Sequence, residues 1–310
     1  MPAKPPLVFH FFLLFVLLHY PAPCLSIPRI LSLVPQKPLV LTDHKGAVLS
    51  GNITVNVLWY GRFSPHQHNV VSDFFRSLSP SKPSPQNTAS SWWSITGGYR
   101  SGRRTITLGK QTVDQSYSLG KSLTNKNLEA LASKVTSGGS SNAVSFVLTS
   151  SDVSVEGFCM SRCGSHGAVS AGRRDNKVAY AWVGNSIRQC PGQCAWPFHK
   201  PIYGPQMPPL VPPSGDVGAD GMVINIATVL AGAVTNPFDG GYYQGHADAS
   251  LEAVSACTGI FGKGAFPGYP GNVLKDKATG ASYNAVGVNR RKFLLPAMWD
   301  PKTKSCKALV

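Results

Sequence analysis

Residues 189–199 read Gln-Cys-Pro-Gly-Gln-Cys-Ala-Trp-Pro-Phe-His, and a proline-rich run follows them as far as Pro213. Proline withholds a backbone donor and fixes φ, so this stretch cannot sit in a helix interior or a central strand. Residues 197–213 should lie extended over the surface, and the 189–199 block needs a covalent or metal clamp to be ordered. Cys190 and Cys194 supply one C-x3-C pair, and Cys159 and Cys163 supply a second upstream. Of the seven cysteines, Cys24 falls in an N-terminal apolar segment, which leaves Cys159, Cys163, Cys190, Cys194, Cys257 and Cys306. An even number in an exported chain points to disulfides. The expected grouping is Cys159, Cys163, Cys190 and Cys194 among themselves, and Cys257 with Cys306. The alternative is a zinc clamp on the C-x3-C pairs with His166 or His199.

Export is read from the first 26 residues. Lys4 precedes an apolar run over 6–18 broken only by His10, and Pro21, Pro23 and Ser26 follow. That is the pattern of a cleaved signal peptide, with 27–310 as the mature domain. The run is shorter than the about 18–20 residues a membrane span needs. In the mature chain the most apolar stretch, Met222–Val234, is also short and holds Asn225 and Thr228. No transmembrane segment is therefore expected there. Asn52-Ile53-Thr54 is a glycosylation sequon, expected to face solvent.

Lys and Arg number 29 against 14 Asp and Glu, a formal charge of +15. Outside a cell, such a balance draws a protein to acidic polysaccharide or to an anionic surface. Nucleic acid is excluded as a partner by the expected location and by the lack of any recognition motif. Charged residues make up only 14% of the chain, while Gly and Pro number 31 and 25. Much of the surface must therefore be turns rather than charged helices.

Apolar alternation predicts strands over 53–60, 105–113, 143–149 and 177–183. Helical spacing predicts helices over 66–78 and 123–135, a short one from the Trp92-Trp93 pair toward Tyr99, and a buried one over 221–234 that stops before Pro237. The fold class is α/β (α+β), a single domain with a loop-rich, disulfide-tied C-terminal half.

No intact catalytic motif is present. Carboxylate-driven hydrolysis needs two facing acids, and Asp216, Asp220 and Glu252 are the candidates. Gly184-Asn185-Ser186 lacks the second glycine of a nucleophile elbow. His66 and His68 fall on different sides of their helix. A zinc site of His166, His199 and a carboxylate is the remaining metal candidate, against loop-bonding histidines as the alternative.

The chain is identified as a member of the plant EXORDIUM and phosphate-induced protein 1 family, close to its EXORDIUM-like members. The matching stretches include HKGAVLSGNITVNVLWYGRF, FCMSRCGSHG, YAWVGNSIRQCPGQCAWPFHKPIYGPQMPPL, DVGADGMVINIATVLAGAVTNPF and TGASYNAVGVNRRKFLLPAMWDP. The resemblance implies an apoplastic protein tied to cell expansion and brassinosteroid response, and it brings no established enzyme activity, no cofactor and no catalytic residues. It leaves an acidic cell-wall polysaccharide or an extracellular protein as the partner. The alternative is an unrecognised cell-wall hydrolase or other extracellular enzyme. A second pattern, TVLAGAVTNP followed by GGYY and Cys257, is similar to a zinc-peptidase helix. It places the metal and base positions at Thr228, Val229 and Gly232, none of which can bind zinc or accept a proton. That likeness implies a metzincin-like scaffold without its zinc site. The alternative is a buried helix stopped by proline.

Overall fold

The computed structural model describes residues 38–310 apart from 80–85, 101, 137–141, 161, 171–176, 203, 205–206 and 247–248. The expected signal peptide over 1–26 and most of the lead-in that follows lie outside the described residues. Residues 39–310 form one compact unit. Its main elements are β1 (Gly51–Tyr60), α1 (Pro65–Ser77), α2 (Ala89–Trp93), β2 (Arg104–Asp114), α3 (Asn125–Val135), β3 (Ala143–Thr149), β4 (Gly164–Ser170), β5 (Lys177–Gly184), α4 (Pro191–Cys194) and α5 (Val217–Thr235).

The five strands form one sheet in the order β2-β1-β3-β5-β4. The first four are mutually parallel, and β4 runs antiparallel on the edge, with His166 opposite Ala181. Successive side chains of a strand point to opposite faces. Ile53, Val55, Val57 and Trp59 join Val144, Phe146 and Leu148 and Ala179, Ala181 and Val183 on one face, packed with residues of α1, α2 and α5. Leu58, Tyr60, Val147, Tyr180 and Trp182 face the other way, onto Leu128, Leu131, Ala132 and Val135 of α3. The chain crosses from β1 to β2 in one direction and from β2 over β1 to β3 in the other. Right-handed crossovers then place α1 and α3 on opposite faces.

Local signals set the helix ends. Ser64 and Gln67 form a capping box on α1, and Thr124 and Asn127 form one on α3. The Thr124 cap makes Leu123 a strand residue, paired in a small parallel ribbon with Val155, rather than the first residue of the predicted helix. Asp216 caps α5 by accepting the Ala219 N–H at 2.9 Å. This helix is 19 residues long, so its length would suit a membrane span, but 83% of its apolar window is buried inside the protein. The expectation that the segment is too short is corrected: the helix that contains it is long enough, and most of it is buried inside the protein.

After α5 the chain is mostly loops and two-stranded ribbons, among them Met298–Asp300 with Ser305–Lys307. Three disulfides tie the molecule: Cys159–Cys190, Cys163–Cys194 and Cys257–Cys306. They respect the expected grouping and use the sulfurs that a zinc clamp would have needed.

Candidate functional site

The zinc-peptidase-like positions fall on the carboxyl half of α5. Thr228 turns its hydroxyl back to the Ile224 carbonyl at 2.9 Å, a bond internal to the helix. Val229 is core. Gly232 lies one turn beyond Thr228 on the same helix face. A Cβ at Gly232 would sit 2.3 Å from Glu252 Oε2 and 2.7 Å from His166 Nε2, so any larger residue requires that pair to shift. The space is filled because His166, reaching over from edge strand β4, meets Glu252 at 2.7 Å.

Around that pair the polar groups link to one another. Asn236, the residue after α5, donates its amide to Glu252 Oε1 at 2.7 Å and accepts the Gly241 N–H at 2.8 Å. Glu252 N–H donates to Ser255 Oγ at 2.8 Å. The His166 and Glu252 side chains are 11% and 12% exposed. His166 Nδ1 is buried and makes no hydrogen bond, so the ring is anchored through Nε2 alone. The arrangement pins edge strand β4 and the 236–252 loop onto the core helix. His199 is not part of it: that ring is exposed and bonds the Lys200 carbonyl next to it. Of the zinc candidate's members, His166 pairs with the carboxylate of Glu252, while His199 bonds a loop carbonyl as its alternative reading had it. Among the described residues no group of three or more His, Cys, Asp or Glu side chains could hold a metal ion.

The carboxylate candidates are split as well. Asp216 and Asp220 lie at the start of α5, and Glu252 sits over Gly232, twelve residues along. At 1.5 Å per residue that is about 18 Å, beyond the about 5–9 Å separation that hydrolysis needs. Asp216 and Asp220 do share one helical turn. Asp216 spends one oxygen on its cap and accepts Gln67 Nε2 with the other at 3.0 Å. Asp220 is 3% exposed. It accepts the Ser214 N–H and hydroxyl, each at 2.8 Å. Burial pushes its carboxyl up to about 7, with the Asp216 charge adding to the rise. His66 bonds the Ser214 carbonyl at 3.1 Å, while His68 packs on the Trp59 ring. The sequon residue Asn52 is exposed on β1, where its Oδ1 accepts the Thr107 hydroxyl at 2.8 Å.

The conserved region of phosphate-induced protein 1 matches residues 41–309. The chain belongs to the phosphate-induced protein 1 family. Protein EXORDIUM of Arabidopsis thaliana is 53% identical over 98% of this chain and 99% of its own length. Protein EXORDIUM-like 2 of the same plant is 56% identical over 90% of this chain and 92% of its own. Protein PHOSPHATE-INDUCED 1 of Nicotiana tabacum is 53% identical over 97% and 99%. The family resemblance carried by the sequence stretches is thereby borne out, and the matched region takes in every strand and helix of the sheet and all three disulfides. No solved structure matches the chain. The zinc-peptidase likeness rests on the sequence pattern alone.

Proposed function

We propose that this protein is exported to the plant apoplast, supports cell expansion in a brassinosteroid-linked setting, and acts by holding a wall component or a partner protein without turning anything over. The names of its relatives fit a growth-related plant protein. Three disulfides fit an oxidising compartment. The observation that supports the binding reading is Gly232: the position that the zinc-peptidase-like sequence pattern reserves for a ligand is a glycine, roofed by the His166–Glu252–Asn236 network. The excess of basic side chains favours an acidic wall polymer over a neutral one.

The test uses the mature protein secreted from plant cells. It is incubated with washed wall material and with purified wall polysaccharides, and both retention and product release are followed. Retention that falls as salt rises, with no product, supports the reading. Release of sugar or peptide products that disappears in Asp216→Asn or Asp220→Asn would replace it with the hydrolase reading.

A further inference from the structure

Residues 262–272 form a small hairpin. Lys263 pairs with Asn272 at its base, Phe266 pairs with Tyr269 near its tip, and Pro267-Gly268 turns it. Phe266 is 59% exposed. Its ring lies 5.1 Å from the half-buried Tyr269 ring, tilted by 38°. Beside the hairpin runs a groove of about 510 Å³, lined by Lys263, Ala265, Thr303, Ser305, Lys307 and Val310 among others. The Lys263 N–H bonds the Val310 carbonyl at 3.0 Å, which holds the two walls together. The Cys257–Cys306 disulfide fixes the far wall to the core.

The charge on this face is one-sided. Segments 260–272 and 301–310 carry Lys263, Lys302, Lys304 and Lys307 and no acidic side chain. The nearest acid in the chain, Asp300, is buried; it caps the Lys302 N–H at 2.9 Å and lies 3.8 Å from Lys307 Nζ. Lys263, Lys302 and Lys304 are exposed, and they make no ion pair among the described residues. The exposed Phe266 ring beside the half-buried Tyr269 ring offers a flat apolar face of the kind that stacks against the C–H face of a sugar ring. Lysines spread along an adjoining groove suit a polymer with a carboxylate on each unit.

We infer that the Lys263–Asn272 hairpin and the Pro301–Val310 segment form a binding face for a uronic-acid polysaccharide. The rings of Phe266 and Tyr269 take sugar faces, and Lys263 and Lys307 take carboxylates. This inference rests on the binding reading above and gives it an address.

The test measures binding of the full mature protein to α-1,4-linked oligogalacturonate and to a neutral oligoglucan at low and high salt. The variants are Lys263→Gln with Lys307→Gln, and Phe266→Ala. Lys126→Gln with Lys177→Gln, elsewhere on the surface, is the charge-matched control. All altered side chains are exposed, and thermal denaturation checks that each variant folds. The expected result is salt-sensitive binding to the galacturonate only, weakened at least tenfold in both test variants and hardly at all in the control. Wild-type binding that survives unchanged in the test variants overturns this face and leaves the general reading standing. Equal weakening in the control overturns the face in favour of diffuse charge. Equal binding to the neutral glucan overturns the role of the lysines. If the wild type binds neither polymer, both the face and an acidic wall polysaccharide as partner are overturned.

Discussion

Gly232 is the residue on which the candidate site turns. Adding one methyl there drives into Glu252 Oε2 and His166 Nε2 at once. Glu252 is hydrogen-bonded to both His166 and Asn236, so admitting the methyl means disturbing those bonds. Gly232→Ala should cost about 1–3 kcal/mol and lower the melting temperature, as overpacking does; an unchanged melting curve would mean the pair moves freely and closes nothing. Asp220 gives a pH signature. Its folded pKa, about 7, lies above the ordinary aspartate value of 3.8, so the folded state holds a proton that the unfolded state releases. The stability this contributes is present in full below about pH 4 and is lost as pH rises through about 7, by an amount on the order of a few kcal/mol. Asp220→Asn keeps an acceptor for Ser214 and removes the titration. Its melting temperature should therefore vary less than the wild type's between pH 4 and 7.

At the level of elements, how much could be read in the sequence depended on contrast. β1, β3 and β5 are dense in β-branched and aromatic residues and show plainly, as does the apolar run of α5. Edge strand β4, Gly-Ser-His-Gly-Ala-Val-Ser, shows no such pattern. It is a strand because β5 pairs along its whole length, which is a tertiary cause that propensity does not carry. With β4 unseen, His166 has no address, and Glu252 lies 86 residues away, so their meeting had no signal in the sequence. Asn236 had one weak sign, its place between a helix end and Pro237. The Cys257–Cys306 disulfide acts on one element, the ribbon of Met298–Asp300 with Ser305–Lys307. Replacing both cysteines by serine should remove about 2–4 kcal/mol. It should also open this ribbon to limited proteolysis before the sheet; loss of the whole fold in one step would show instead that the ribbon and sheet unfold together.

On the scale of the whole molecule, the four parallel strands and the two helical layers were legible because they follow from apolar strand runs and helical patterning. The parts that carry the proposed function were not, since they are built from loops held by long-range covalent and polar links. One more property of α5 bears on how such a molecule reaches its place. On the proposed route the unfolded chain is threaded through a translocation channel before any sheet exists to receive this segment, and a 19-residue apolar helix is long enough to escape sideways into lipid. Asp220, Asn225 and the glycines at 218, 221 and 232 lower its affinity for the bilayer. On that route, residues that look like concessions within a packed interior would also keep the nascent polypeptide moving toward the far side.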